Sequence, residues 1–300
     1  MTIRFGASPI AWINDDMPEL GGDTPLESVL ADCQAIGFSG VELGGVLPRD
    51  PAVLKPLLDR YGLSLVGGWY SGNLLAHSAD DEIAALQSHL NLLKAMDCLG
   101  LHPRRDQQRH PWRPLQDLCR PRRAWTPKAG RNSARGATEV ADYIARQGLK
   151  FAYHHHLGTI VERPEDLEAF LANTGPSVGL TVDTGHAALG GLDPVQVIRG
   201  YPHRVAHVHC KDIRSEVFHK VVSRGGGGFL DGVLAGMFTV PGDGHPDYAA
   251  VMQALAEIGY SGWIIVEAEQ DPAIANPRHY GEIGLATLKR EALAAGLKAA

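Results

Sequence analysis

Three short stretches put metal-binding and proton-transfer side chains at the ends of apolar runs. GLTVDTGH ends in Asp183 and His186, RVAHVHCKD supplies His207, His209 and Asp212, and GWIIVEAEQ supplies Glu267 and Glu269. A carboxylate at the end of a buried run is costly unless a cation or hydrogen bonds compensate it. An imidazole with carboxylates from separate runs makes a site for Mn²⁺, Co²⁺, Mg²⁺ or Zn²⁺, and the mixed oxygen and nitrogen set leans towards Mn²⁺ or Co²⁺. None of the three is specific alone; three on consecutive runs are. His207 reads as a hydrogen-bonded core residue rather than a ligand. In YHHHLG, side-chain alternation along a strand admits one imidazole of His154, His155 and His156 to a shared site. Trp12, Trp69 and Trp263 read first as core aromatics.

Such residues need a scaffold that aims them at one point. Short β-like runs alternate with amphipathic helical runs: IRFGASPIAW, then PLESVLADCQAIGF ending at Gly37, SGVELGG, DPAVLKPLLDRYG, LSLVGGWY and DDEIAALQSHLNLLKAM. The rhythm resumes at ATEVADYIARQG and runs to the closing helix GEIGLATLKREALAAG. This predicts seven strands and eight helical segments, with a strand missing between Met96 and Thr138. Repeated βα units with apolar strands imply a parallel sheet. Eight of them close a single-domain (β/α)8 barrel over residues 1–300, with its active site at the C-terminal strand ends. A doubly wound open sheet is the alternative; the barrel is favoured because the strand-end polar residues then converge on one mouth.

Composition narrows the function classes. Hydrophobic content is 44%, charged content 21% and the net charge −6, as for an ordinary globular protein. The exception is 101–135, LHPRRDQQRHPWRPLQDLCRPRRAWTPKAGRNSAR, with ten basic and two acidic residues and no Val, Ile or Phe. Without that stretch the remainder carries −14, an acidic body with no general nucleic-acid footprint. No signal peptide or membrane span is read from the chain. Cys33, Cys98, Cys119 and Cys210 are scattered and form no CxxC, so reduced thiols in a cytoplasm are expected. The glycines of SRGGGG (223–228) read as a flexible linker, and Asp243 in FTVPGDGHPDY as a turn residue.

The motifs GASPIAWINDDMPELGG, GFSGVELGG, GWYSGNLL, YHHHLGT, VDTGHAALGGLDP, HVHCKDIR, FTVPGDG and GWIIVEAEQDP, in order along nearly the whole chain, resemble the inosose dehydratase (2-keto-myo-inositol dehydratase) family. That family belongs to the sugar-phosphate isomerase/epimerase group of metal-dependent, xylose-isomerase-like barrels, related to endonuclease IV and tagatose epimerase. The resemblance implies a hydro-lyase of inositol catabolism acting on a small cyclitol ketone, with Mn²⁺ or Co²⁺, and with glutathione by family association only. It implies three metal ligands, Asp183, His209 and Glu267, and a fourth, a glutamate ending strand four, that this chain lacks. Glu267 is the nominee for the base. His186 and one of His154–His156, with His156 nominated, are assigned to acid catalysis or substrate contact. Lys211 and Arg214 are nominated to hold substrate oxygens, and Trp12, Asn14, Glu42 and Tyr70 are weaker substrate-contact nominees. A ketose epimerase or isomerase with the same metal site stays open, as does an inactive barrel or a nucleic-acid binder using the basic run. A homo-oligomer is compatible with the sequence; no membrane partner is expected.

The likeness fails in one place, roughly 99 to 136. GLHPRRDQQRHPWR (Gly100–Arg113), back-translated with permitted codons and read one base later, gives V-F-I-L-A-E-T-S-N-A-I-H-G. That is an apolar strand ending in the motif the family carries. The restored glutamate codon spans Arg105 and Asp106. Residues 100–136 are therefore read as a frameshifted segment, with the frame regained at ATEVADY. The expectation is that 101–135 lacks a regular barrel strand or forms one poorly. The alternative is a basic insertion that binds an anion or nucleic acid.

Overall fold

The computed structural model describes residues 2–98, 100–105, 127–223 and 229–300. The chain runs β1 (Thr2–Ala7), a 3-10 turn, α1 (Leu26–Ile36), β2 (Gly40–Leu43), α2 (Pro51–Arg60), β3 (Ser64–Gly72), α3 (Ala79–Ala85), α4 (Gln87–Ala95) and β4 (Gly100–Arg105). There follow α5 (Pro127–Arg146), β5 (Lys150–His154), α6 (Pro164–Ala172), β6 (Val178–Asp183), α7 (Thr184–Gly190), α8 (Pro194–Gly200) and β7 (Val205–Cys210). An excursion of β8 (Asp212–Ile213), α9 (Ser215–Ser223), α10 (Phe229–Leu234) and β9 (Phe238–Thr239) precedes α11 (Tyr248–Glu257), β10 (Gly262–Val266), α12 (Pro277–Ala294) and β11 (Lys298–Ala299).

β1 to β7 pair in sequence order, all parallel; β10 pairs with β7 on one side and β1 on the other, closing an eight-stranded barrel. Val66, Trp263 and Ile265 pack together inside it. A Cβ on Gly6 or Gly40 would lie within 3 Å of those side chains, so the two glycines make room for them. Arg4 lies over the Trp263 ring, 4.2 Å from its centroid. The larger core lies between strands and helices, where Val29, Leu54, Leu93, Ile144, Phe170, Ile198 and Leu288 cover the outer barrel face. Helix starts are fixed locally: Asp50, Ser78, Asp193, Asp247 and Asn276 each accept a first-turn backbone N–H.

The expected gap at strand four is a correction. β4 runs from Gly100 to Arg105, aligned with β3 from Gly68↔Leu101 to Gly72↔Arg105 and with β5 at Gly100↔Lys150 and Leu101↔Phe151. Ladder hydrogen bonds are made by the backbone, and β3 and β5 each offer an edge that side-chain composition does not abolish. Helix α5 begins at Pro127, ten residues before the resumed rhythm at Ala137. The rest of the basic stretch, 106–126, lies outside the described residues. Among the described residues no helix is long and apolar enough to cross a membrane. Cys33, Cys98 and Cys210 are buried free thiols, and burial pushes Cys33 and Cys98 up to about 12.

Candidate active site

A strand's side chains alternate, so a residue two places beyond an inward one is inward too. On β10, Trp263 and Ile265 point into the barrel, which brings Glu267, just past the strand, to the mouth. Glu42 of β2, His154 of β5 and His209 of β7 line a mouth cavity of about 290 Å³, with Asp15, Asp16, Arg49, Trp69, His156, Glu267 and Glu269. That volume is at the low end for small-molecule sites. Asp183, the last residue of β6, is fully buried beside it.

The nominated ligands meet at one imidazole. His209 Nδ1 lies 2.6 Å from Glu267 Oε2 and 3.7 Å from Asp183 Oδ2. Its Nε2 lies 3.0 Å from Glu42 Oε1, which also sits 2.9 Å from His207 Nε2. The Lys211 ammonium lies below, 2.8 Å from Glu267 Oε1, 2.6 Å from Glu269 Oε1 and 3.0 Å from His186 Nε2. His186 is held by α7, whose N-cap is Asp183: Oδ1 accepts from the His186 N–H at 2.8 Å. The rings of His186 and His156 lie 3.6 Å apart, and Phe229 of α10 stacks on His186 at 6.0 Å.

The charges follow from these contacts. Burial pushes the Glu267 carboxyl up, but Lys211 and His209 outweigh it and bring it down to about 2. Burial likewise opposes ionisation of Asp183 and Glu42, yet nearby cationic and imidazole groups hold both well below the usual carboxylate range. Burial and the Glu267 charge raise Glu269, though Lys211 pulls the other way. Burial disfavours the His209 cation, but Glu42 and Glu267 raise it well above an ordinary histidine. Burial lowers His154, His155 and His207 despite their acidic neighbours, with His155 at about 4.

Several nominees stand elsewhere. Tyr70 faces outward against His89 of α4, ring centroids 5.7 Å apart, and Trp69 is the cavity wall. The cause is a bulge: between Val41↔Leu65 and Leu43↔Gly68, β3 has one more residue than β2, which inverts the alternation beyond it. Trp12 is buried off the cavity, its indole N–H donating to Asp32 Oδ2 of α1 at 3.0 Å. Asn14 Oδ1 accepts from the Asp16 and Met17 N–H groups, which shapes the loop presenting Asp15 and Asp16. Arg214 is held by Gly236 O, Thr239 Oγ1 and the Asp243 carboxylate. Lys211 has three N–H donors and three acceptors around them, so none is left for substrate. Asp212 accepts from Ile213 N and Gly242 N instead of facing the mouth. Two of the three consecutive histidines line the cavity, His154 and His156, because residues two apart share a face; His155 Nε2 meets the Asp183 N–H at 3.4 Å. Asp15, Arg49 and Trp69 had no strand-end signature to reveal them.

A cation suits this donor set. Asp183 Oδ2 and both ring nitrogens of His154 are buried without a hydrogen-bond partner. One ligand atom from each of His154, Asp183 and His209 lies within 4.8 Å of the others. The orphaned oxygen beside two imidazoles is a place a divalent ion would satisfy.

A family model described as a xylose isomerase-like TIM barrel matches residues 30–291. The chain is 42% identical over 301 residues to the rhizopine catabolism protein MocC of Rhizobium meliloti, covering 99% of this chain and 91% of that one. It is 37% identical to an inosose dehydratase of Geobacillus thermodenitrificans, covering 93% of each chain. To one of Lacticaseibacillus casei it is 38% identical, over 93% of this chain and 94% of that one. Among solved structures, a D-allulose 3-epimerase from Methylomonas sp. in complex with D-allulose superposes with a TM-score of 0.68 at 18% identity, covering 97% of each chain, a likeness of fold alone.

Proposed function

The chain belongs to the xylose isomerase-like TIM barrel family, and from that premise we propose that it is a hydro-lyase removing water from 2-keto-myo-inositol to give a trihydroxycyclohexane-dione. One observation carries the reading: buried carboxylates and imidazoles gather at the mouth of a chain that matches inosose dehydratases over nine-tenths of its length. The proposal includes Mn²⁺ or Co²⁺ held by Asp183, His209 and Glu267, a cyclitol-ketone substrate without nucleic acid, and a cytoplasmic location. It also includes the reading of 100–136 as a frameshifted segment of one barrel domain.

The reaction is a β-elimination. The carbon beside the ketone loses its proton to Glu267, and the ketone becomes an enediolate. The hydroxyl on the next carbon leaves as water, taking a proton from His186 or His156, and the resulting enol tautomerises to the dione. The bound ion would supply Lewis-acid stabilisation of the enediolate. Trp69 and Glu42 bound the space the ring enters. The Lys211 ammonium contacts both the nominated base and one nominated acid, at 2.8 Å from Glu267 Oε1 and 3.0 Å from His186 Nε2.

The test is incubation of the purified protein with 2-keto-myo-inositol and Mn²⁺ or Co²⁺, following loss of substrate and appearance of the dione. Epimerised ketohexoses and untouched inosose would reverse the assignment in favour of an epimerase. A second reading, an activity in rhizopine breakdown, is favoured by the 42% identity to MocC. A gene disruption that abolishes growth on a rhizopine while inosose turnover is absent would select it.

A further inference from the structure

Lys211 has no exposed surface, and its ammonium is surrounded as a metal ion would be. Glu269 Oε1 lies at 2.6 Å, Glu267 Oε1 at 2.8 Å, His186 Nε2 at 3.0 Å and Asp183 Oδ2 at 3.9 Å. Carboxylates with an imidazole are the donors of a divalent-cation site. Two of these donors, His186 and Glu269, also group with His156: one ligand atom from each of the three lies within 4.8 Å of the others. Glu269 Oε2 is buried without a hydrogen-bond partner, on a residue that lines the cavity. Glu267 divides its two oxygens, Oε2 towards His209 and Oε1 towards Lys211. Asp183 Oδ2 lies 3.7 Å from the one and 3.9 Å from the other. A carboxylate so placed ties the Lys211 position to His209, a ligand nominated for the first ion.

We propose that the mouth is a two-cation site in which the Lys211 ammonium permanently fills the second position. The first position is the one assigned above to Mn²⁺ or Co²⁺, and the inference rests on that reading for its neighbour but not for its test. The ammonium cannot exchange and carries one charge. Its N–H groups are directed at Glu267, Glu269 and His186. It therefore holds Glu267 and Glu269 together against their mutual repulsion and limits the mouth to one exchangeable ion.

Metal stoichiometry tests this, by equilibrium dialysis of the purified full chain against Mn²⁺ with elemental analysis. Lys211→Ala removes the ammonium and opens its space; Lys211→Met removes the charge but fills most of that space. Lys211→Ala is expected to hold one more Mn²⁺ per chain than the unaltered protein, and to show a larger Mn²⁺-induced rise in Tm. Lys211→Met should show no gain, and Lys211→Ala combined with Glu269→Gln should lose it. A folded Lys211→Ala with no added Mn²⁺ overturns the proposal. Should that variant fail to fold, Glu269→Gln alone decides. Unchanged Mn²⁺ content is expected, because Glu269 serves the ammonium; loss of Mn²⁺ would make Glu269 a ligand of the first ion and overturn the proposal. If the unaltered protein binds no Mn²⁺, the metal reading of the function fails, whereas a gain from none to one in Lys211→Ala still upholds the two-cation site.

Discussion

Asp183 has a different duty on each oxygen. Oδ1 caps α7, and Oδ2 faces His154 and His209 at 3.5 and 3.7 Å. The two separate by substitution. Asp183→Asn keeps a cap acceptor and loses the charge, so Mn²⁺ affinity should fall by about 100-fold or more, and urea stability at pH 7 should fall too, because Lys211 and His209 lose a buried counter-charge. Asp183→Ala loses both and should cost about a further 1 kcal/mol, the worth of an N-cap. Equal Mn²⁺ affinity in Asp183→Asn would remove Asp183 from the ligand set. The same economy of position separates Trp69 from Tyr70. Trp69→Ala should raise KM about tenfold, a loss of about 1.4 kcal/mol, with Tyr70→Phe unchanged; the reverse pattern would mean the bulge does not set the wall. Asp183, His209 and Glu267 were legible because each ends an apolar run. Trp69 was not, because one extra residue in β3 inverts the alternation and leaves no mark in composition.

At the scale of elements, β3 and α4 enclose a histidine with no catalytic assignment. His89 packs against Tyr70, and burial, with Arg49 nearby, lowers it to about 4. An unfolded histidine titrates near 6.5. Between those values the unfolded chain binds a proton that the folded chain does not, so stability falls as pH drops from 6.5 towards 4. From pH 7 to pH 5 the loss from His89 alone is about 2 kcal/mol. His154, His155 and His207 shift in the same direction. The depressed carboxyls Asp183, Glu42 and Glu267 lose their contribution at lower pH, below about 4. Urea unfolding of His89→Phe should show about 2 kcal/mol less change over that interval; an unaltered slope would mean His89 is protonated in the fold. Helix–strand alternation was readable for most elements because most strands are apolar and most helices open on a capping residue or proline. The excursion β8–α9–α10–β9 was not. Its apolar residues, among them Val233, Met237 and Phe238, pack with Met17 and Leu157 from distant loops in a cluster separate from the barrel core.

For the whole molecule, barrel closure makes every strand necessary, and this is where the basic stretch matters. β4 is present between β3 and β5, so backbone pairing tolerates GLHPRR as a strand. Ligation is less tolerant. In the restored frame a glutamate codon falls across Arg105 and Asp106 at the end of that strand, where the resemblance requires the fourth ligand. The chain carries Arg104 and Arg105 at that point. Arginine stays charged and has no lone pair to offer a cation. On the proposed reading the strand is kept while the fourth ligand is absent. Protein made to this sequence should bind Mn²⁺ or Co²⁺ about 10–100-fold more weakly than protein from a frame-restored gene, the scale seen when groups supporting a metal are removed. It should also dehydrate inosose poorly or not at all. Both proteins should show the same barrel by circular dichroism. A metal titration and a dehydration assay on the two side by side decide it. Equal affinity and turnover would show that three ligands suffice and that residues 100–136 are a tolerated insertion.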